Sequence, residues 1–187
     1  MKKYIGLLAL VVAVAVAFVL APKAHASGPI TVNGGWGGTA FATAPIDMNN
    51  DGVYARTFKV TANGQIRFLT IEGAVDTGLL GFGCSGPNSL LLEPFGVLTF
   101  RGLNPNDAVF VNIDSTHSIC FDPAAPNEVV TLIVNGGTGI YAGSTGSGSM
   151  TLYDIVRYDQ PAGPNFPPGV RAPIVTDTRG TFSLTIQ

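Results

Sequence analysis

The sequence predicts an all-β protein: a single closed or nearly closed antiparallel barrel of about eight strands, standing behind an export leader. Three observations carry that expectation. The chain has 24 glycines and 13 prolines in 187 residues, and all but Gly6 and Pro22 lie after Ser27, where they punctuate the chain at short intervals. Between them lie runs rich in Val, Ile, Phe and Thr, the pattern of a sandwich or barrel. No stretch after the leader sustains the 3.6-residue period of an amphipathic helix.

The leader comes first. Lys2 and Lys3 precede an apolar run from Ile5 to Leu20, Pro22 breaks it, and Ala24-His25-Ala26 supplies a small-x-small cleavage pattern. These are the three parts of a secretory signal peptide. The run falls short of the roughly 20 residues that span a bilayer. The expected division is therefore residues 1–26 as signal peptide and residues 27–187 as one domain, extracytoplasmic and with no stable membrane insertion after cleavage. No Cys follows the run and no Arg pair precedes it, which argues against lipidation and twin-Arg export. Cleavage would remove Lys2, Lys3 and Lys23. Seven basic residues then face twelve acids, a net charge of −5. Such a domain lacks the basic patch that nucleic acid demands.

The strands are expected in order. Weak ones lie at Ile30–Asn33 and Leu79–Phe82. Arg56–Ala62 alternates Phe58, Val60 and Ala62 against Thr57, Lys59 and Thr61. It runs through Asn63-Gly64, the strongest short hairpin signal, into Ile66–Ile71. Further strands are expected at Gly96–Arg101, Ala108–Ile113, Val129–Val134 and Ser149–Val156. Val129–Val134 is nearly all apolar, as in a strand buried on both faces. Five prolines between Val156 and Thr178 predict an irregular loop there. The closing strand, Thr181–Ile186, alternates cleanly.

Cys84 and Cys120 are the only cysteines. In an oxidising compartment two cysteines pair, and closing that loop is worth about 4 kcal/mol on the chain-entropy view. Thiol chemistry with His117 is disfavoured. Three residues apart on a strand, His117 and Cys120 face opposite ways.

Gly136-Gly137-Thr138-Gly139-Ile140-Tyr141-Ala142-Gly143 follows a strand and imitates a dinucleotide fingerprint. That reading fails, because the glycines continue and a strand follows where a helix must open. The longer segment from Val134 to Gly146 resembles the Gly-Gly-Thr-Gly-x-(Phe/Tyr)-x-Gly-Ala-x-Gly segment of allene oxide cyclase-like and dirigent-like proteins. The resemblance covers about 25 residues, Val129 to Tyr153, with Ser144 in place of Ala. It implies an eight-stranded antiparallel barrel in which this segment joins neighbouring strands. Gly136, Gly137, Thr138 and Gly139 are then a backbone device, and Tyr141 tucks its ring back as a plug. The family's catalytic residues have no counterparts that can be placed here, so none is carried over.

Asp47-Met48-Asn49-Asn50-Asp51-Gly52 matches the opening of a calcium loop, with Asp47, Asn49 and Asp51 as candidate ligands. Phe58 stands where the loop's bidentate acid belongs. The competing reading is an Asx-rich turn. Trp36, within Gly34-Gly35-Trp36-Gly37-Gly38, is either a stacking residue for a sugar or aryl ligand or a barrel-end plug. Of the loose acids Glu72, Asp76, Glu93, Asp107, Asp114 and Asp154, Glu72 and Asp154 are the two that a strand can turn inward.

No nucleophile–base pair or phosphate loop is visible, which points to a non-catalytic barrel that binds a small apolar ligand or serves structurally. Family analogy supplies a second possibility, a cofactor-free cyclase or isomerase. The Asp47 segment supplies a third, a calcium-dependent surface or glycan-binding module.

Overall fold

The computed structural model describes residues 28–42, 48, 55–64, 67–122, 127–161, 169 and 171–187. Nine strands make one antiparallel sheet: β1 (Ile30–Ala42), β2 (Arg56–Gly64), β3 (Phe68–Phe82), β4 (Leu90–Gly102), β5 (Ala108–Ile113), β6 (Ile119–Phe121), β7 (Asn127–Thr138), β8 (Gly146–Pro161) and β9 (Arg171–Ile186). The order is β3-β2-β1-β9-β8-β7-β5-β4, and β4 pairs back onto β3, so hydrogen bonds run in a ring through eight strands. The short β6 lies outside that ring, on the far end of β4. The expected all-β, barrel-like class is what forms.

Period two decides what faces inward. Val32 and Trp36 on β1, Val60 and Ala62 on β2, Leu98 and Phe100 on β4, and Phe182, Leu184 and Ile186 on β9 are all buried. Phe100 stands edge-on to both Phe68 (5.4 Å) and Phe182 (5.2 Å). Edge-to-face rings at such spacing suit the aromatic quadrupole. Phe68 also meets Tyr141, at 5.6 Å.

Several sequence expectations change. Val129–Val134 is not buried on both faces. Val130, Leu132 and Val134 are buried, while Val129 and Ile133 are exposed. One face of β7 lies on the ring's outer wall, and nothing described covers it. Asn63 and Gly64 do not form a two-residue turn. They remain in β2, opposite Gly35 and Gly34 of β1, and the β2–β3 pairing ends at Thr61↔Thr70. The β2–β3 hairpin is present, with a longer connection. The glycine-rich stretch around Trp36 is strand throughout.

The Pro-rich region is also more ordered than expected. β8 and β9 run on as a two-stranded arm to Pro161↔Arg171, with irregular register between Val156 and Asp159. β7 begins opposite Tyr153, so beyond that point β8 pairs with β9 alone among the described residues. A proline costs no ladder bond on such an edge.

Cys84 and Cys120 are joined, with Cα atoms 5.9 Å apart. The bond ties the loop after β3 to β6. Ser89 Oγ accepts from the N–H groups of Ser85 (2.9 Å) and Gly86 (3.0 Å) and so closes the same loop.

Candidate functional site

One end of the ring interior is polar. Arg56 shares the inward face of β2 with Val60 and Ala62. Asp154 shares that of β8 with Met150 and Leu152. Two strands, β1 and β9, separate β2 from β8 in the sheet, so the Arg56 Nη1–Asp154 Oδ2 ion pair (2.5 Å) reaches across the interior. Both side chains are largely buried, 16% and 13% exposed. Thr178 lies directly opposite Asp154 on β9 and is buried, as is Thr176. Glu128 occupies the inward face of β7, opposite Leu152 and diagonal to Asp154. Diagonal neighbours on adjacent strands remain within side-chain reach.

Two atoms of this cluster make no hydrogen bond among the described residues, Asp154 Oδ1 and Thr176 Oγ1. A buried polar group without a partner costs about 1–3 kcal/mol, and native structures hold few of them. The Glu128 carboxyl is pushed up to about 7. Burial is the main cause; the Arg56 charge pulls it down and the Asp154 charge adds to the rise. The cluster therefore combines a fixed guanidinium–carboxylate pair, a free acceptor, a free hydroxyl and a carboxyl that exchanges its proton near neutrality. Such a set can orient a polar group on a ligand and can move a proton.

The other acids serve elsewhere. Glu72 turns outward, bonded to Lys59 Nζ (2.8 Å) and Arg101 Nε (3.1 Å); its pKa is lowered, chiefly by the Lys59 hydrogen bond with Arg101 adding to it, against the opposing effect of desolvation. Asp114 is lowered chiefly by the Thr116 hydroxyl, and it also takes His117 Nδ1 at 2.9 Å. That contact turns His117 into a surface turn, while Cys120 is committed to the disulfide.

Trp36 is buried, 3% exposed, its ring 6.2 Å from Phe58 and its Nε1–H donating to the Thr151 carbonyl at 3.3 Å. It presents no free face for stacking. Gly136, Gly137 and Thr138 end β7, and Gly139 and Tyr141 bound one 3-10 turn before β8. No α-helix opens there. Gly139 has φ +61°, and a Cβ on Gly137 would stand 2.5 Å from the carbonyls of Ala108 and Tyr141. The segment reverses the chain at close quarters, and Tyr141 fills the core beneath it.

Asp47, Asn49 and Asp51 lie outside the described residues. Within their segment, the Met48 N–H donates to Asp76 Oδ2 at 2.8 Å, touching the same face of β3 as Glu72. Among the described residues no group of His, Cys, Asp or Glu is placed to hold a metal. No described helix is long and apolar enough to cross a membrane.

The sequence reading missed Arg56 and Glu128. Arg56 was legible, because it shares parity with Phe58, Val60 and Ala62. Glu128 shares parity with Val130, Leu132 and Val134, but the all-apolar run hides which parity faces in. Compared with known proteins, the chain matches no family model, no curated protein and no solved structure.

Proposed function

We propose that this is an exported protein of the allene oxide cyclase-like, dirigent-like type that binds one small, largely apolar molecule inside the ring without transforming it. The carrying observation is the pair of buried atoms that find no partner among the described residues, Asp154 Oδ1 and Thr176 Oγ1, beside the Arg56–Asp154 ion pair. A ligand with one hydrogen-bond donor would satisfy Asp154 Oδ1, and its apolar body would meet the side chains of β1, β8 and β9. Export is supported by the leader pattern at residues 2–26 and by a disulfide of the kind that persists in oxidising compartments.

The test is a thermal-shift screen of small apolar alcohols against the purified chain and Thr176→Val, which keeps the shape and removes the hydroxyl. A ligand at 100 times its Kd adds about 2.7 kcal/mol of stability. At least one alcohol is expected to raise the Tm by several degrees, with a smaller rise in Thr176→Val. No rise with any compound removes the reading.

The proton held by Glu128 near neutrality favours a second reading, a cofactor-free cyclase or isomerase using Glu128 as acid or base. Chromatography separates the two: a binder returns its ligand unchanged, whereas an isomerase returns a product of equal mass.

A further inference from the structure

We propose that a groove in the β8–β9 wall is a separate binding site, taking a small organic carboxylate with a flat apolar body. It does not depend on the interior reading. Between Met150↔Phe182 and Tyr153↔Arg179 the β8–β9 register continues, but Thr151 and Leu152 do not pair with Thr181 and Gly180. Side chains take over the backbone's partners. The Thr151 hydroxyl accepts the Thr181 N–H at 2.8 Å, and the Trp36 Nε1–H goes to the Thr151 carbonyl at 3.3 Å. The ladder is therefore irregular here while its polar groups keep partners, so the break in pairing is a built feature of the wall. A Cβ on Gly180 would overlap the Thr151 carbonyl and come within 2.8 Å of Trp36 Nε1, so only glycine admits this close approach of the two backbones and the indole.

The groove is a shallow depression open to solvent with a volume of about 550 Å³, room for a single small molecule. Trp36, Leu152 and Tyr153 line it with apolar surface; Asn127, Thr181 and Arg179 bring polar groups. No acid lines it. The Arg179 guanidinium sits 4.8 Å over the Tyr153 ring. Its neighbours on the hairpin are engaged, Arg157 with Asp177 and Arg171 with Asp159, whereas Arg179 meets no carboxylate among the described residues. A guanidinium held flat by an aromatic ring and lacking an anion is matched by a planar carboxylate. The accessible apolar surface is chiefly that of Tyr153, with only the edges of the buried Trp36 and Leu152 behind it, and it suits a small flat apolar body.

Trp36 is the chain's single tryptophan, so its fluorescence reports occupancy. The experiment titrates the full mature chain with phenylacetate and with neutral phenylacetamide, then repeats it with Arg179→Gln and Thr176→Val. Arg179 is exposed, so its replacement leaves the fold intact, as circular dichroism checks. Phenylacetate is expected to give a saturable change in Trp36 emission. The amide, and phenylacetate with Arg179→Gln, should bind about tenfold more weakly or worse, as loss of a charge-assisted contact implies. Thr176→Val should bind as the parent does. Equal binding of acid and amide, parent-like binding by Arg179→Gln, a response lost only in Thr176→Val, or no saturable change each overturns the assignment.

Discussion

Glu128 shows what a single inward charge does to this fold. Its neighbours are Arg56 from β2 and Asp154 from β8, and burial dominates their opposing charges, raising the carboxyl from 4.5 to about 7. A raised carboxyl favours folding while it holds its proton. That contribution is complete below the unfolded value near 4.5 and is lost as pH climbs through 7. The loss amounts to about 3 kcal/mol by pH 8. Glu128→Gln keeps a neutral side chain at every pH. Its Tm is therefore expected to match the parent near pH 4.5 and exceed it above pH 7, the gap opening between those values. Thermal unfolding from pH 4.5 to 8 measures it, and parallel curves would show that Glu128 is solvated.

The strands tolerate prolines and irregularities where a partner is missing. Pro94 sits in β4 opposite Thr77 of β3, and on its other side β5 ends at Val97 and β6 at Leu92. Its missing N–H therefore breaks no ladder. The β8 arm carries Arg157, Asp159, Pro161 and shifted register on its edge, devices that discourage further strand addition. β6, three residues long, needs outside help. It has three pairs with β4 and the bond from Cys120 to Cys84, a span of 36 residues. Replacing both cysteines by serine is expected to cost about 4 kcal/mol. Hydrogen exchange should quicken first in β6 and in residues 83–89, while β1 and β9 keep their protection. Uniform acceleration would show instead that the bond stabilises the ring as a whole.

Closure makes the molecule cooperative, because every strand of the ring has a neighbour on each side. The aromatic centre, Phe68, Phe100 and Phe182, joins the consecutive strands β3 and β4 to β9 at the other end of the chain. Phe100 is wholly buried. Phe100→Ala is expected to cost about 3–5 kcal/mol from lost transfer energy and a residual cavity. Native domains hold only about 5–15 kcal/mol in total, so denaturant unfolding should show a large fall in midpoint. A drop below about 1 kcal/mol would mean that the core collapses to fill the space.

Local chemistry was readable from the chain alone. Alternation of apolar residues marked Arg56–Ala62 and Thr181–Ile186, and the cysteine count marked the disulfide, because period and covalent valence are properties of short segments. The glycines at 136–139 announced a turn for the same reason. Facing was not readable where both parities are apolar, so Val129 and Ile133 were placed inside when they lie outside. Nor could residue order show that Arg56 meets Asp154 across two intervening strands, that Glu128 stands beside them, or that Trp36 reaches over Gly180 to the next strand. Those contacts exist only once the sheet closes, because closure sets the register that brings residues about a hundred positions apart into one unsolvated space.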